Sequence, residues 1–252
     1  MCGRYASTRA PADLAGIFDA HWDAGSGAAP AASWNVAPTD PVWAVLAHAD
    51  RESGAVERRL RALRWGLVPS WAKDPGVGSR MINARVETVH EKPAYRKAFT
   101  KRRCLLPADG FYEWQPVPAT GRAKAYKQPY FIAPEDGAPM AMAGLYEFWR
   151  DPAVADADDP AAWLTTCTII TTEATDAAGR VHPRMPLALH PDDYGTWLDP
   201  AHHDTHELRS LLHTPADGRL AVRAVSTEVN SVRNNGPRLL DPVAGVPLPP
   251  AG

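Results

Sequence analysis

The sequence predicts an α+β fold built on a mixed or antiparallel, barrel-like β-sheet with short flanking helices. Three observations lead there. Strand-like runs rich in β-branched and aromatic residues recur at "VWAVLAHA", "LRALRWGLVP", "QPYFIAP", "MAMAGLYEFW" and "LTTCTIITTEA". The helical patterns are short: "PADLAGIFDAHW", "YRKAFTKRR", "DDYGTWL" and "HELRSLLH". The two kinds of segment do not alternate regularly, which argues against a doubly wound parallel sheet.

Taken in order, residues 2–6 read as an opening strand. Leu14, Ile17 and Phe18 then fall at helical spacing. "GSGAAPAAS" is a loop, and the polar turn "ADRESGA" joins the next two strands. The segment "YRKAFTKRR" is a short basic helix, and "CLLPADGFYEW" reads as strand, turn and strand. "DPAVADADDP" is an acidic loop between two later strands, and "RLAVRAVS" is a final strand. The reading is one domain over 1–240 followed by a Pro/Gly-rich tail over 241–252.

Composition narrows the class. A chain of 252 residues, 45% hydrophobic and 22% charged, has ample room for a core. It holds no apolar run of about 18 residues, so no membrane span is predicted. The start lacks the basic and apolar regions of a signal peptide, which predicts a cytoplasmic protein. Cys2, Cys104 and Cys167 contain no CxxC pair, so neither a disulfide framework nor a zinc site is predicted. Cys104 and Cys167 lie in apolar runs and read as buried structural thiols. No metal or organic cofactor is predicted.

Net charge is −2, which advertises no polyanion partner, but the charge is uneven. Between Arg80 and Cys104 stand eight basic residues against Glu87 and Glu91, and Arg58, Arg59, Arg61 and Arg64 lie just upstream. Such a run is either a solvated helix face or a footprint for nucleic acid.

Several side chains carry candidate chemistry. "MCGRY" puts a cysteine directly behind the start methionine. If Met1 is removed, Cys2 bears an α-amine and a thiol two carbons apart. An α-amine has a pKa of about 7.7–8.0 against about 10.4 for lysine, so part of it is unprotonated at neutral pH. It can form a Schiff base with an aldehyde, and the thiol can then close a thiazolidine ring. From "MC" alone, residue 2 reads as an arbitrary frayed end. Glu113, between Tyr112 and Trp114, is either a desolvated acid/base or a solvated strand residue. His182 in "VHPRMP" is either an acid/base or a satisfied polar group. Asn83 and Arg85 face one side of a strand and suit a hydroxyl and a phosphate, or plain structural hydrogen bonds. Trp65 and Trp71 lie in "RWGLVPSWAKD"; Trp71 suits base stacking, and Trp65 reads as core.

The chain resembles one family from end to end, the SOS response-associated peptidase or abasic-site processing family. Its signposts stand in family order: "MCGRY", "NVAPT", "RWGLVPSWAKD", "NARVET", "CLLPADGFYEW", "TTEAT", "HPRMPLAL" and "VNSVRNNGP". The resemblance implies that fold, a role in DNA repair and the SOS response, and covalent crosslinking to abasic sites in single-stranded DNA through a processed Cys2. It implies that Asn83 holds the sugar hydroxyl, that Glu113 opens the sugar ring and moves protons, and that His182 assists Schiff-base formation. Arg4, Arg85 and Arg184 would contact phosphates, with Pro69, Ser70 and Trp71 on the DNA surface and Thr171 or Thr172 near the site. The family name also implies peptidase, hydrolase or lyase chemistry. The implied partner is single-stranded DNA carrying abasic sites, met by a monomer without membrane contact. Two rival classes stay open: a cysteine peptidase using Cys2, His182 and Glu113 on protein substrates, and a non-covalent single-strand binding module.

Overall fold

The computed structural model describes residues 2–22, 29–50, 54–121, 124–213 and 219–248. Its strands form two sheets. The first begins with β3 (Pro41–Ala49) and β4 (Val56–Trp65), a long antiparallel pair. β3 also pairs antiparallel with β6 (Arg103–Ala108), which pairs with β9 (Met140–Arg150), which pairs with β10 (Trp163–Glu173). Finally β10 runs parallel to β4 at Thr166 opposite Arg64 and Cys167 opposite Trp65, which closes a five-stranded barrel. The barrel-like expectation therefore holds.

The closure uses the period-2 alternation of its strands. One face of them gathers Ala44, Leu63, Trp65, Cys104, Leu106, Met142 and Cys167, joined by Cys2 and Tyr5. The other face carries Val45, Leu60, Leu105 and Leu145. Short helices cover that second face: α1 (Pro11–Ile17), α2 (Arg96–Lys101), α4 (Tyr194–Leu198) and α5 (Thr205–Ser210). Leu14 at the helical spacing seen in sequence, and Phe18 just past α1, are almost fully buried there with Phe99 and Trp197. Each such side chain contributes about 1.5–3 kcal/mol of apolar burial.

The second sheet is antiparallel, in the order β12 (Leu220–Ala224), β8 (Tyr126–Pro134), β7 (Gly110–Val117), β1 (Tyr5–Ser7) and β2 (Ser33–Val36). "CLLPADGFYEW" gives two strands as expected, yet they diverge: β6 enters the barrel and β7 the second sheet. Asp109 fixes the branch point, accepting from Thr8 N at 2.7 Å, Thr8 Oγ1 at 2.8 Å and Arg9 Nε at 3.0 Å.

β10 is the hinge between fold and site. Past the barrel it takes β5 (Asn83–Arg85) in parallel and β11 (Arg184–Pro186) antiparallel. The helix α3 (Asp176–Val181) connects β10 to β11; sequence patterning did not reveal it, because its six residues are too few for an apolar period. The described part of the tail lies on the second sheet: Val243 N donates to Ala224 O at 2.9 Å, and Tyr130 Oη to Pro247 O at 3.0 Å.

The basic run of 80–104 is not one surface. Arg80, Arg85, Lys92, Arg96, Lys97 and Lys101 are exposed, but Arg103 is buried and donates only to backbone: Trp197 O, Phe99 O, Asp199 O and His202 O. Arg102 pairs with buried Glu147 at 2.6 Å. These two arginines lock α2 and the 197–202 turn onto the barrel. No helix among the described residues is long and apolar enough to cross a membrane.

Candidate active site

The start of the chain, β5, β7 and the α3–β11 corner meet at one place. Cys2 is fully buried and shares its apolar surroundings with Tyr5, Trp65 and Ala178 of α3. β1 pairs with β7, setting Tyr5 opposite Phe111, and Tyr112 N donates to Arg4 O at 2.9 Å. That register carries the residues just before Tyr5 alongside Glu113.

Asn83 comes to Cys2 from β5. Its Nδ2 donates to the Cys2 carbonyl oxygen at 2.7 Å. Its Oδ1 is buried and accepts no hydrogen bond among the described residues. That oxygen suits an incoming hydroxyl donor. Burial also leaves the Cys2 thiol far above its ordinary pKa, and the Glu113 carboxylate adds to the rise.

Glu113 is 4% exposed, on the buried face of β7 opposite Tyr130. Burial pushes its carboxyl up to about 7. Of the two readings the sequence left open, desolvation is the one observed. At neutral pH the group is present both as acid and as base, the condition for moving protons in both directions.

His182 follows the last turn of α3, which packs on β7, β11 and β12. Its Nδ1 lies within hydrogen-bond reach of both Arg184 N, at 3.0 Å, and Arg184 O, at 3.1 Å. Burial lowers its pKa, so the ring is neutral at pH 7.

The three arginines differ. Arg4 Nη1 donates to Asn35 Oδ1 at 2.7 Å and Val229 O at 3.0 Å, and its guanidinium lies 5.8 Å from the Trp114 ring centroid. Arg85 is exposed on β5. Arg184 is held by Glu87 and by Thr171 O at 2.6 Å. Thr171 is buried and Thr172 half-buried on β10 beside this group.

Trp71 is 67% exposed at the tip of a turn. Ala72 N donates to Pro69 O at 2.9 Å, and Trp149 Nε1 donates to Ala72 O at 2.7 Å, anchoring the turn to β9. Pro69 is buried beneath it, so Ser70 and Trp71 face outward and Pro69 does not. Behind the turn, Gly66 has φ +119°, and a Cβ there would meet Gly78 O at 2.5 Å. The glycines of "RWGLVPSWAKDPGVG" let the two ends of this excursion touch.

Two residues of the site escaped sequence reasoning. Asn35 is buried, and besides accepting from Arg4 its Nδ2 donates to Ser231 O at 3.0 Å and Asn234 O at 2.8 Å. It joins "NVAPT" to "VNSVRNNGP". The other is Glu87, the carboxylate on Arg184. A polar residue inside the strand "SWNV" was the available signal for Asn35; Glu87 left none.

Comparison with known proteins decides the family. The model of the family described as SOS response associated peptidase (SRAP) matches residues 1–232. The chain belongs to this family. SRAP relatives include the abasic site processing protein YoqW of Bacillus subtilis, 40% identical over 83% of this chain and 85% of that protein. The abasic site processing protein HMCES of Xenopus tropicalis is 32% identical over 95% of this chain and 78% of that one. A crystal structure of a Bacteroides thetaiotaomicron protein has the same fold, with a TM-score of 0.74 at 22% identity over 96% of this chain and 100% of the other. A Bordetella bronchiseptica structure aligns with a TM-score of 0.65 at 28% identity over 89% of this SRAP chain and 100% of that chain.

Proposed function

We propose that this SRAP protein acts in DNA repair by binding single-stranded DNA and crosslinking covalently to abasic sites through Cys2. The observation that carries the reading is the Asn83 Nδ2 to Cys2 O hydrogen bond, with Glu113 acting on the same cysteine from a site that holds its pKa near 7. The names of the relatives, abasic site processing proteins, support the substrate class.

The chemistry follows from the groups present. Removal of Met1, by the protein itself or by an aminopeptidase, makes the Cys2 nitrogen a free amine. Protonated Glu113 donates to the ring oxygen as the C1–O bond breaks, and the anomeric hydroxyl gives up its proton to solvent, opening the abasic sugar to its aldehyde. The amine attacks the aldehyde carbon, the carbinolamine loses one water, and an imine results. The thiol then adds across the C=N bond: sulfur bonds to carbon, and the thiol proton ends on nitrogen. The product is a thiazolidine, and the net change is loss of one water. The reaction does not need a preformed thiolate, which agrees with a thiol held high by burial. Asn83 Oδ1 accepts from the sugar hydroxyl, and His182 assists loss of the carbinolamine hydroxyl. Arg4 and Arg85 take phosphates, and Trp71 stacks on a base beside the lesion.

A cysteine peptidase acting on other proteins would use a thiolate activated by histidine. Burial and Glu113 both push the Cys2 thiol the other way, so this reading is not preferred. The test is to mix the protein with an oligonucleotide carrying one abasic site and resolve the products on a denaturing gel. A heat-stable shifted band for wild type that Cys2→Ala does not give supports the reading; an equally stable band with Cys2→Ala contradicts it.

A further inference from the structure

We propose that Glu87 is an internal stand-in for a DNA phosphate: its carboxylate occupies the Arg184 fork in the DNA-free protein and is displaced by a backbone phosphate when a strand binds. The inference rests on the DNA-binding reading above and adds a specificity-determining residue to it.

The geometry is bidentate. Arg184 Nη1 donates to Glu87 Oε1, and Nη2 donates to Oε2 at 3.1 Å. The inner side of the guanidinium is held by protein, with Nη2 donating to Thr171 O at 2.6 Å. Glu87 covers the outer side: its side chain is 46% exposed, against 16% for Arg184. A guanidinium fork grips carboxylate and phosphate with the same paired geometry, so a phosphate approaching from solvent meets a seat already filled by an anion. The Glu87 carboxyl lies below its ordinary pKa, chiefly through the hydrogen bond from Arg184, and Arg85 also favours its charge.

Arg4 makes the contrast. Its hydrogen bonds run to neutral oxygens, Asn35 Oδ1 and Val229 O; Asp40 favours its charge without occupying the fork. Arg184 offers a strand no net charge until Glu87 moves aside. The swap makes Arg184 engage only a ligand whose phosphate reaches the seat, and it weakens attraction for anions that do not.

The test measures binding of a single-stranded oligonucleotide carrying a tetrahydrofuran abasic analogue, which has no aldehyde and cannot crosslink. Glu87→Gln is expected to bind about three- to fivefold tighter at moderate salt, the size of one half-exposed ion pair. Its log affinity should fall more steeply with log salt, by up to about 0.7 in slope, because no displaced carboxylate is left beside the strand to offset the arginine's charge. Both effects should vanish in the Arg184→Ala background. If Glu87 merely braces Arg184, Glu87→Gln binds more weakly; that result, unchanged affinity, or a gain that persists with Arg184→Ala overturns the inference while wild type still binds. A wild-type protein that does not bind the oligonucleotide overturns the DNA-binding reading and this inference together.

Discussion

Asn83 Nδ2 donates to the carbonyl oxygen of Cys2 at 2.7 Å, joining residues 81 positions apart in the chain. The bond lets a strand paired to the barrel hold the start of the chain. β10 fixes β5 through Ile169 opposite Asn83, and Asn83 then fixes the backbone that carries the nucleophile. An N-terminal segment is ordinarily prone to fray; here its position is inherited from the barrel.

Asn83→Ala should therefore cost reactivity out of proportion to stability. One lost hydrogen bond amounts to about 1 kcal/mol of folding free energy. Misplacing a reacting group by about 1 Å can cost on the order of 100-fold in rate. Single-turnover crosslinking rates and urea midpoints measured together check this. A variant that loses stability but keeps its rate would remove Asn83 from the chemistry.

Glu113 links pH to both stability and rate. Its folded pKa, about 7, is raised above the ordinary 4.5, so the folded state binds the extra proton. The associated destabilisation is absent below about pH 4.5, grows between the two values and is complete above about 7. Glu113→Gln should therefore be the more stable protein above pH 7, by about 1–3 kcal/mol, with no gap at pH 4. It should also crosslink at least about 100-fold more slowly and lose the rate change near pH 7. Melting curves and crosslinking rates across pH 4–9 test both.

Trp71→Ala should separate binding from folding. The ring is 67% exposed, so stability should change by no more than about 0.5 kcal/mol. Loss of one stacked base should weaken binding of single-stranded DNA by about 1–3 kcal/mol. Fluorescence anisotropy with a labelled oligonucleotide measures the second, thermal denaturation the first.

Gly66→Ala should do the reverse. Its φ of +119° disfavours any side chain, and the added Cβ would lie 2.5 Å from Gly78 O. A backbone oxygen cannot swing aside, so destabilisation of at least about 2 kcal/mol is expected in urea unfolding. A neutral result would mean the 66–78 excursion is freer than its packing indicates.

The fold class was legible because its signals are local. Runs rich in β-branched and aromatic residues, such as "VWAVLAHA" and "LTTCTIITTEA", mark strands wherever they end up pairing. What the sequence hid was non-local: the parallel contact of Cys167 with Trp65 that closes the barrel, and the parting of β6 and β7 into different sheets. The same division runs through the site. Cys2, Asn83, Glu113 and His182 were named from motifs, and the structure supplies what each touches. Arg103 looked like part of a basic surface, but its neighbours Cys104 to Ala108 are all core, and it turns inward to four carbonyls. The partners of Arg4 and Arg184, Asn35 and Glu87, were invisible because hydrogen bonds across 31 and 97 positions leave no periodic trace.

The most direct measurement is the intact mass of the denatured reaction product between the protein and an oligonucleotide with one abasic site. The account predicts one species: the chain lacking Met1, plus the oligonucleotide, minus one water, with the attachment mapping to Cys2. An adduct on a lysine, an adduct on a chain that keeps Met1, or no adduct from a chain shown to begin at Cys2 would contradict it.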